Sequence, residues 1–344
     1  MTQRFSDHRR RALPDGDPID LSTVPGCDGR LPLVRPSTPG VSLTGWAAAN
    51  RQRLDGWLDE HGAVLFRGFD LSSAERFQDL VSVAAGEPLE YRERSTPRTA
   101  VHDRVYTSTE YPASEHIPLH CENSYAHTWP LRLIFWSLTP AATGGQTPIA
   151  DCRRVLARLG REVRARFAER GVRYVRNLGG GLGLDWRAVF QTDDRAQAEQ
   201  ACQAAGYAYR WHGDRLHLSR VGPAIVRHPR TGELTWFNHA VLFHVSSLPA
   251  AVADALLSEY GKDGLPNNTY YGDGSDLEPD VLAELRAAYE AEALAFTWER
   301  GDVLIVDNML VAHGRVPYTG SRRLLVTMAQ PFSADQLVKE SVDV

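Results

Sequence analysis

The sequence predicts a mostly β domain with helices packed on its outside. Three observations lead there. Short apolar runs bounded by Gly, Pro, Asn and Asp recur along the chain, the pattern of a barrel or sandwich. Helical periodicity gathers near the beginning and in insertions between the strands. Finally, the two halves of a candidate metal site, His120 with Glu122 and the distant His313, lie about 190 residues apart, with no repeat or low-complexity linker between them. That separation favours one domain whose early and late strands meet.

Taken in order, residues 1–41 are polar and rich in Pro, Gly, Asp and Arg, and are expected to form an irregular N-terminal arm. Ser42 or Thr44 caps a helix that runs through Trp46, Leu54 and Trp57 to a Gly62 stop. Ala63–Arg67 reads as a buried strand, and Ser72 or Ser73 opens a second helix with Phe77, Leu80 and Val81 on one face. Residues 88–118 read as a long loop with short extended pieces, rich in Arg, Glu, Ser and Thr; it is either a recognition loop or a solvated insertion. Leu131–Leu138 has the β-branched and aromatic content of a strand, and Thr143–Thr147 reads as a turn. Helices over 151–170 and 194–205, and strands over 171–177, 207–211, 215–219 and 223–228, fill the middle. A helix over 248–260, a polar loop over 262–276 and an amphipathic helix over 278–292 precede three final apolar runs. The main domain is thus expected over 42–335, with insertions, and a tail over 336–344.

The 344 residues are 43% hydrophobic and 24% charged, enough for a sizeable core. A net charge of −5 gives no broad basic field for nucleic acid or anionic membrane. Cys27, Cys121, Cys152 and Cys202 form no CxxC pair, which argues against a disulfide framework or zinc ribbon and for a reducing compartment. No apolar signal region opens the chain, and no run approaches the ~20 residues of a membrane span, so a cytoplasmic location is expected.

The chemistry concentrates in Leu119-His120-Cys121-Glu122-Asn123-Ser124-Tyr125. In an extended strand His120 and Glu122 point the same way. Two His and one carboxylate with open positions are the facial ligand set of non-haem Fe(II) oxygenases, and His313 is the candidate third ligand. Taken alone, His120 is more often a hydrogen-bonded structural His, and Glu122 a surface acid. His116, His127, His239 and His244 lack such a setting and read as core or loop residues. Asn308 either lines the pocket or forms a turn. The Gly179–Gly183 cluster lacks a dinucleotide-binding context.

In LHCENSY (119–125), GGQTPIADCR (144–153), HPRTGELTWFN (228–238), WERGDVLIVDNMLVAHGR (298–315) and GSRRLLVTMA (320–329), the chain resembles the TauD/TfdA-like Fe(II)- and 2-oxoglutarate-dependent oxygenases, most of all their SyrP-like branch. The resemblance implies a double-stranded β-helix, or jelly roll. It implies that His120, Glu122 and His313 bind Fe(II), leaving room for the keto acid and O2. It implies that Arg323 pairs with the distal carboxylate of 2-oxoglutarate, helped by Thr147. Arg322 reads as a solvated or salt-bridged neighbour, with the Arg-Arg doublet leaving the choice between the two open. Arg315 either makes structural pairings or contacts the co-substrate. Many relatives carry Asp where Glu122 stands, and the retained carboxylate argues against halogenation. Thr327, where taurine dioxygenase has a sulfonate-binding Arg, argues against a sulfonate substrate. The implied reaction is hydroxylation of an amino acid near Cβ, free or tethered to a peptidyl carrier protein, with Arg94, Arg98 and Glu110 as candidates for its recognition. Desaturation, cyclisation or epoxidation at the same iron is the nearest alternative. A catalytically silent carrier-binding module and a zinc hydrolase are the others.

Overall fold

A strand buried on both faces reads as a nearly continuous apolar run, and four such runs build the middle of the molecule. In the computed structural model, which describes residues 16–89, 100–102, 104–108, 111–181 and 183–337, they are Ala63–Phe66, Val303–Asp307, Thr128–Thr139 and Arg323–Ser333, adjacent in that order. Their side chains alternate between two cores. Val64, Ile134, Trp136, Ile305 and Leu325 face the helices Leu43–Ala49, Arg51–His61 and Ala74–Ala85, while Leu65, Leu133, Phe135, Leu304, Leu324 and Val326 face inward. Against the inward face lies a three-stranded sheet in the order Ile117–His120, Val311–Arg315, Ile149–Asp151. These are the two walls of the expected jelly roll.

The opening helix is two helices. At Asn50 the backbone leaves helical geometry and Nδ2 donates to the Trp46 carbonyl (3.0 Å). Ser42 and Ser73 cap their helices by accepting from Gly45 and Arg76 N–H, and Gly62 ends Arg51–His61 in the left-handed region at φ 72°.

Two expectations are corrected. The arm over 1–41 is not irregular from residue 16 onward. Ile19–Thr23 pairs antiparallel with Pro32–Pro36, which runs parallel to Ala63–Phe66 and extends the main sheet to eight strands. Leu33 and Val34 are fully buried there; prolines bounding so short an apolar piece masked it as coil. The polar stretch 262–276 is not all loop either. Asn267–Tyr271 is a strand on the edge of a four-stranded inserted sheet, beside Val172–Leu178. Its polar side chains are buried and bonded: Thr269 Oγ1 donates to the Ala240 carbonyl (2.6 Å), and Asn268 accepts from Val245 N–H (3.1 Å). Part of 88–118 also joins the sheet, as Ala100–His102 and Val105–Thr107.

The turn after Val303–Asp307 delivers the chain to Val311–Arg315. Asp307 Oδ1 accepts from Met309 N–H (3.0 Å) and Leu310 N–H (3.2 Å), and its other oxygen meets Arg132 and His228. Burial raises the Asp307 carboxyl, but Arg132 and His228 outweigh it and hold the group below its ordinary value.

Candidate metal centre

His120 and His313 are direct cross-strand partners in the three-stranded sheet, with ring centroids 4.6 Å apart. Gly314 makes that pairing possible. A Cβ there would lie 2.6 Å from the Ile117 carbonyl oxygen and 3.3 Å from Leu119 N, inside the strand that carries His120. Gly314→Ala should therefore cost ~1–3 kcal/mol of stability in urea unfolding and weaken Mn(II) binding in a fluorescence titration, by pushing the two His apart.

Glu122 does not ride on the strand, which ends at His120; it occupies the turn that follows, beside Asn123 at φ 55°. Even so, Glu122 Oε2 lies 4.0 Å from His120 Nε2, and ligand atoms of His120, Glu122 and His313 all fall within 4.8 Å of one another. His120 Nδ1 lies 2.8 Å from the Pro118 carbonyl, which only accepts, so Nδ1 carries the proton and Nε2 is left for a metal. The donor set fits a divalent ion: two neutral imidazoles and one carboxylate, converging and largely buried. This is the one group of three or more candidate ligand residues among the described residues.

Beside the triad lies a cavity of about 40 Å³ bordered by His120, His313, Phe135, Thr147, Arg315 and Arg322. Arg322 is the surprise. Arg322, just ahead of the strand, borders the cavity together with Leu324 and Val326, whereas Arg323 is exposed, ahead of a register shift between Arg323 and Leu324. Arg322 Nε donates to the Gly145 carbonyl (3.0 Å), and among the described residues no carboxylate pairs with it. Burial, with Arg315 nearby, pushes its guanidinium down to about 10, so it stays charged at neutral pH. The assignment of Arg323 to the cavity is thereby corrected. The Arg-Arg doublet carried the ambiguity, and the unbroken apolar run Leu324-Leu325-Val326 that follows gives no sequence signal to resolve it.

Thr147 is buried at the cavity wall, and its Oγ1 accepts from Trp298 Nε1 (3.0 Å). Arg315 borders the cavity too, but its guanidinium is committed to the chain, donating to the carbonyls of Tyr111 (2.9 Å), Pro112 and Glu115 (2.9 Å). Asn308 does not line the cavity; all its polar atoms bond to backbone (Oδ1 to Glu122 N–H at 2.7 Å, Nδ2 to the carbonyls of Glu122 and Pro130, both at 2.9 Å). Arg94, Arg98 and Glu110 lie outside the described residues. His239, read from sequence as core or loop, stands next to the site. Its ring is 5.6 Å from that of His120, and its Nδ1 lies 2.6 Å from Ser124 Oγ. Burial, with His120 and Arg176 nearby, keeps it neutral. A larger groove of about 540 Å³ lies on the opposite face of the inserted sheet: Arg173 and Val175 line it, while Tyr174 and Arg176, alternating with them, face Tyr125.

Residues 33–328 match the family described as taurine catabolism dioxygenase TauD, TfdA family. The chain is 40% identical over 300 residues to the dapdiamide synthesis protein DdaC of Enterobacter agglomerans, covering 87% of this chain and 91% of that protein. It is 32% identical over 306 residues to a clavaminate synthase-like protein of Arabidopsis thaliana, covering 85% and 89%. Among solved structures it resembles PvcB of Pseudomonas aeruginosa (TM-score 0.59, 18% identity, 97% of this chain and 100% of that one). A second PvcB structure, described as an Fe, alpha-ketoglutarate dependent oxygenase from an isonitrile synthetic pathway, gives a TM-score of 0.57 at 18% identity, over 97% and 100% of the two chains. A taurine dioxygenase from Burkholderia xenovorans gives 0.53 at 17% identity, over 94% and 96%.

Proposed function

The chain belongs to the TauD/TfdA family and is an Fe(II)/2-oxoglutarate-dependent oxygenase; from that premise we propose that it hydroxylates an amino acid, free or tethered to a carrier protein, in natural-product biosynthesis. The observation that carries the site assignment is the convergence of His120, Glu122 and His313 beside the largely buried Arg322 guanidinium, which no carboxylate among the described residues pairs.

In this reading the triad holds Fe(II). Arg322 and Thr147 hold the distal carboxylate of 2-oxoglutarate, the guanidinium as a two-pronged donor and the hydroxyl as a single one. Bound iron, keto acid and O2 together supply the oxidising power to take a hydrogen atom from an unactivated C–H bond, with succinate and CO2 as co-products. The protein's part is to orient and to exclude water. Phe135, Leu324 and Val326 give the cavity an apolar wall, and the His120 Nδ1–H···O=C bond fixes that ring. Arg315 braces the 111–115 segment at the cavity edge, so it acts through the chain.

An amino-acid substrate is supported by the likeness to a dapdiamide synthesis protein. A sulfonate is disfavoured: four residues beyond Arg322 stands Val326, which lines the cavity and offers no charge. The four cysteines are buried thiols outside any disulfide, and among the described residues no helix is long and apolar enough to cross a membrane; the thiols support a reducing, cytoplasmic setting.

The test has two stages. Anaerobic Fe(II) plus 2-oxoglutarate should develop a weak visible charge-transfer band; its absence would refute the metal and co-substrate assignment. Amino acids, free and carrier-loaded, are then screened for succinate release and product mass. Gain of one oxygen supports hydroxylation. Loss of two hydrogens replaces it with desaturation or cyclisation.

A further inference from the structure

A carboxylate on a strand is aimed by the sheet's own hydrogen bonds. Glu122 has left the sheet: it sits in a turn, next to a residue in the left-handed region. Something else must fix its backbone, because rotation of one peptide would swing the carboxylate by ångströms. One side chain bonds to the Glu122 backbone on both flanks. Asn308 Oδ1 accepts from Glu122 N–H at 2.7 Å, and Asn308 Nδ2 donates to the Glu122 carbonyl at 2.9 Å. The second Nδ2 hydrogen reaches the Pro130 carbonyl, also at 2.9 Å, where the loop that begins at Glu122 rejoins the sheet. One amide thereby holds the two peptide units that flank the Glu122 Cα, and the far end of its loop.

We propose that Asn308 is a positioning residue for the Glu122 ligand, and that it sets the distance between the two halves of the triad. The inference rests on the reading of His120, Glu122 and His313 as the metal centre. Asn308 itself has little freedom. It is fully buried, its N–H donates to the Leu131 carbonyl (2.9 Å), and Asp307 shapes the turn around it. Five residues later the same segment presents His313. The turn that carries one ligand on its strand therefore grips the backbone of another.

The residue type follows from the chemistry. The site needs one acceptor and two donors in one plane, at short reach. Asp supplies the acceptor and loses both donors. Ser is too short, and Gln places its amide one methylene too far in a fully packed position.

The test is a Co(II) titration of the apo-protein, read from the visible d–d bands, with apo thermal stability measured in parallel. Asn308→Ala should weaken Co(II) binding about 10–100-fold, the usual effect of removing an outer support of a metal ligand. Asn177→Ala is the control. Asn177 is also a buried Asn whose Nδ2 holds two carbonyls, those of Asp263 (2.8 Å) and Leu265 (2.7 Å), but in the inserted sheet. It should lower stability and leave Co(II) affinity within about twofold of the parent. If Asn308→Ala does not fold, Asn308→Asp, which keeps the volume and the bond to Glu122 N–H, takes its place with at least tenfold weakening expected. Unchanged affinity in a folded Asn308 variant, or equal weakening in Asn177→Ala, overturns the proposal. A parent protein that binds no Co(II) refutes the metal-centre reading instead.

Discussion

Arg322→Ala is expected to raise the KM for 2-oxoglutarate at least ~30-fold, because truncating one side of a buried charge pair costs about 2–5 kcal/mol. Arg323→Ala, at an exposed position, should leave it within about twofold. Steady-state succinate release against 2-oxoglutarate concentration measures both. The contrast is sharp because the two residues are neighbours of the same type. Any account based on net charge near the site predicts similar effects for them, whereas the cavity-side position of one and the exposed position of the other predict opposite ones. Arg322→Lys should fall between, since the ammonium keeps the charge and loses the fork. A large effect at Arg323 with none at Arg322 would reverse the assignment. Removing Arg322 also deletes, from a partly enclosed position, a cation that no carboxylate among the described residues pairs, so the apo variant is expected to unfold no earlier than the parent in a thermal melt.

His120→Ala is expected to abolish succinate formation and Co(II) binding together. His120 is one of three convergent candidate ligands, and its loss leaves two groups, of which the carboxylate sits in a turn and not on a strand. Parallel loss in Glu122→Ala and His313→Ala, with native-like circular dichroism in all three apo variants, is the pattern of a shared metal. Full turnover in His120→Ala would sink the site. So would retention of metal alongside lost turnover in all three, which would make them participants in chemistry at some other centre.

How much of this was legible in the sequence depends on the range of the interactions. The jelly-roll strands were legible because strands buried on both faces must be apolar throughout, as in Val303–Val306 and Leu324–Ala329. The helix ends were legible because Ser42, Ser73 and Gly62 act locally. His120, Glu122 and His313 could be paired because their residue types suit one ion. Three things stayed hidden, each for a physical reason. Pro32–Pro36 owes its strand to a neighbour supplied by Ala63–Phe66, not to its own pattern. Asn267–Tyr271 has polar side chains that are satisfied only by carbonyls and amides from distant segments. The choice between Arg322 and Arg323 turns on a one-residue phase, which a register shift at the strand's start makes impossible to count from His313. Asn308 looked like a turn former and is one; its grip on Glu122 spans 186 residues.

The two C-terminal strands, Val303–Asp307 and Arg323–Ser333, do not lie at the edge of the main sheet but in its middle, flanking Thr128–Thr139. A ribosome releases them after the strands they pair with. Until then Thr128–Thr139 lacks both of its neighbours in the sheet and Ala63–Phe66 has only Pro32–Pro36 beside it, so their apolar faces wait in the open. The proposed metal centre waits with them, since His313 arrives in the same stretch. Sheet closure and assembly of that site therefore fall together, once Val303–Asp307 and Arg323–Ser333 have emerged, and a chain that stops before Val303 forms neither.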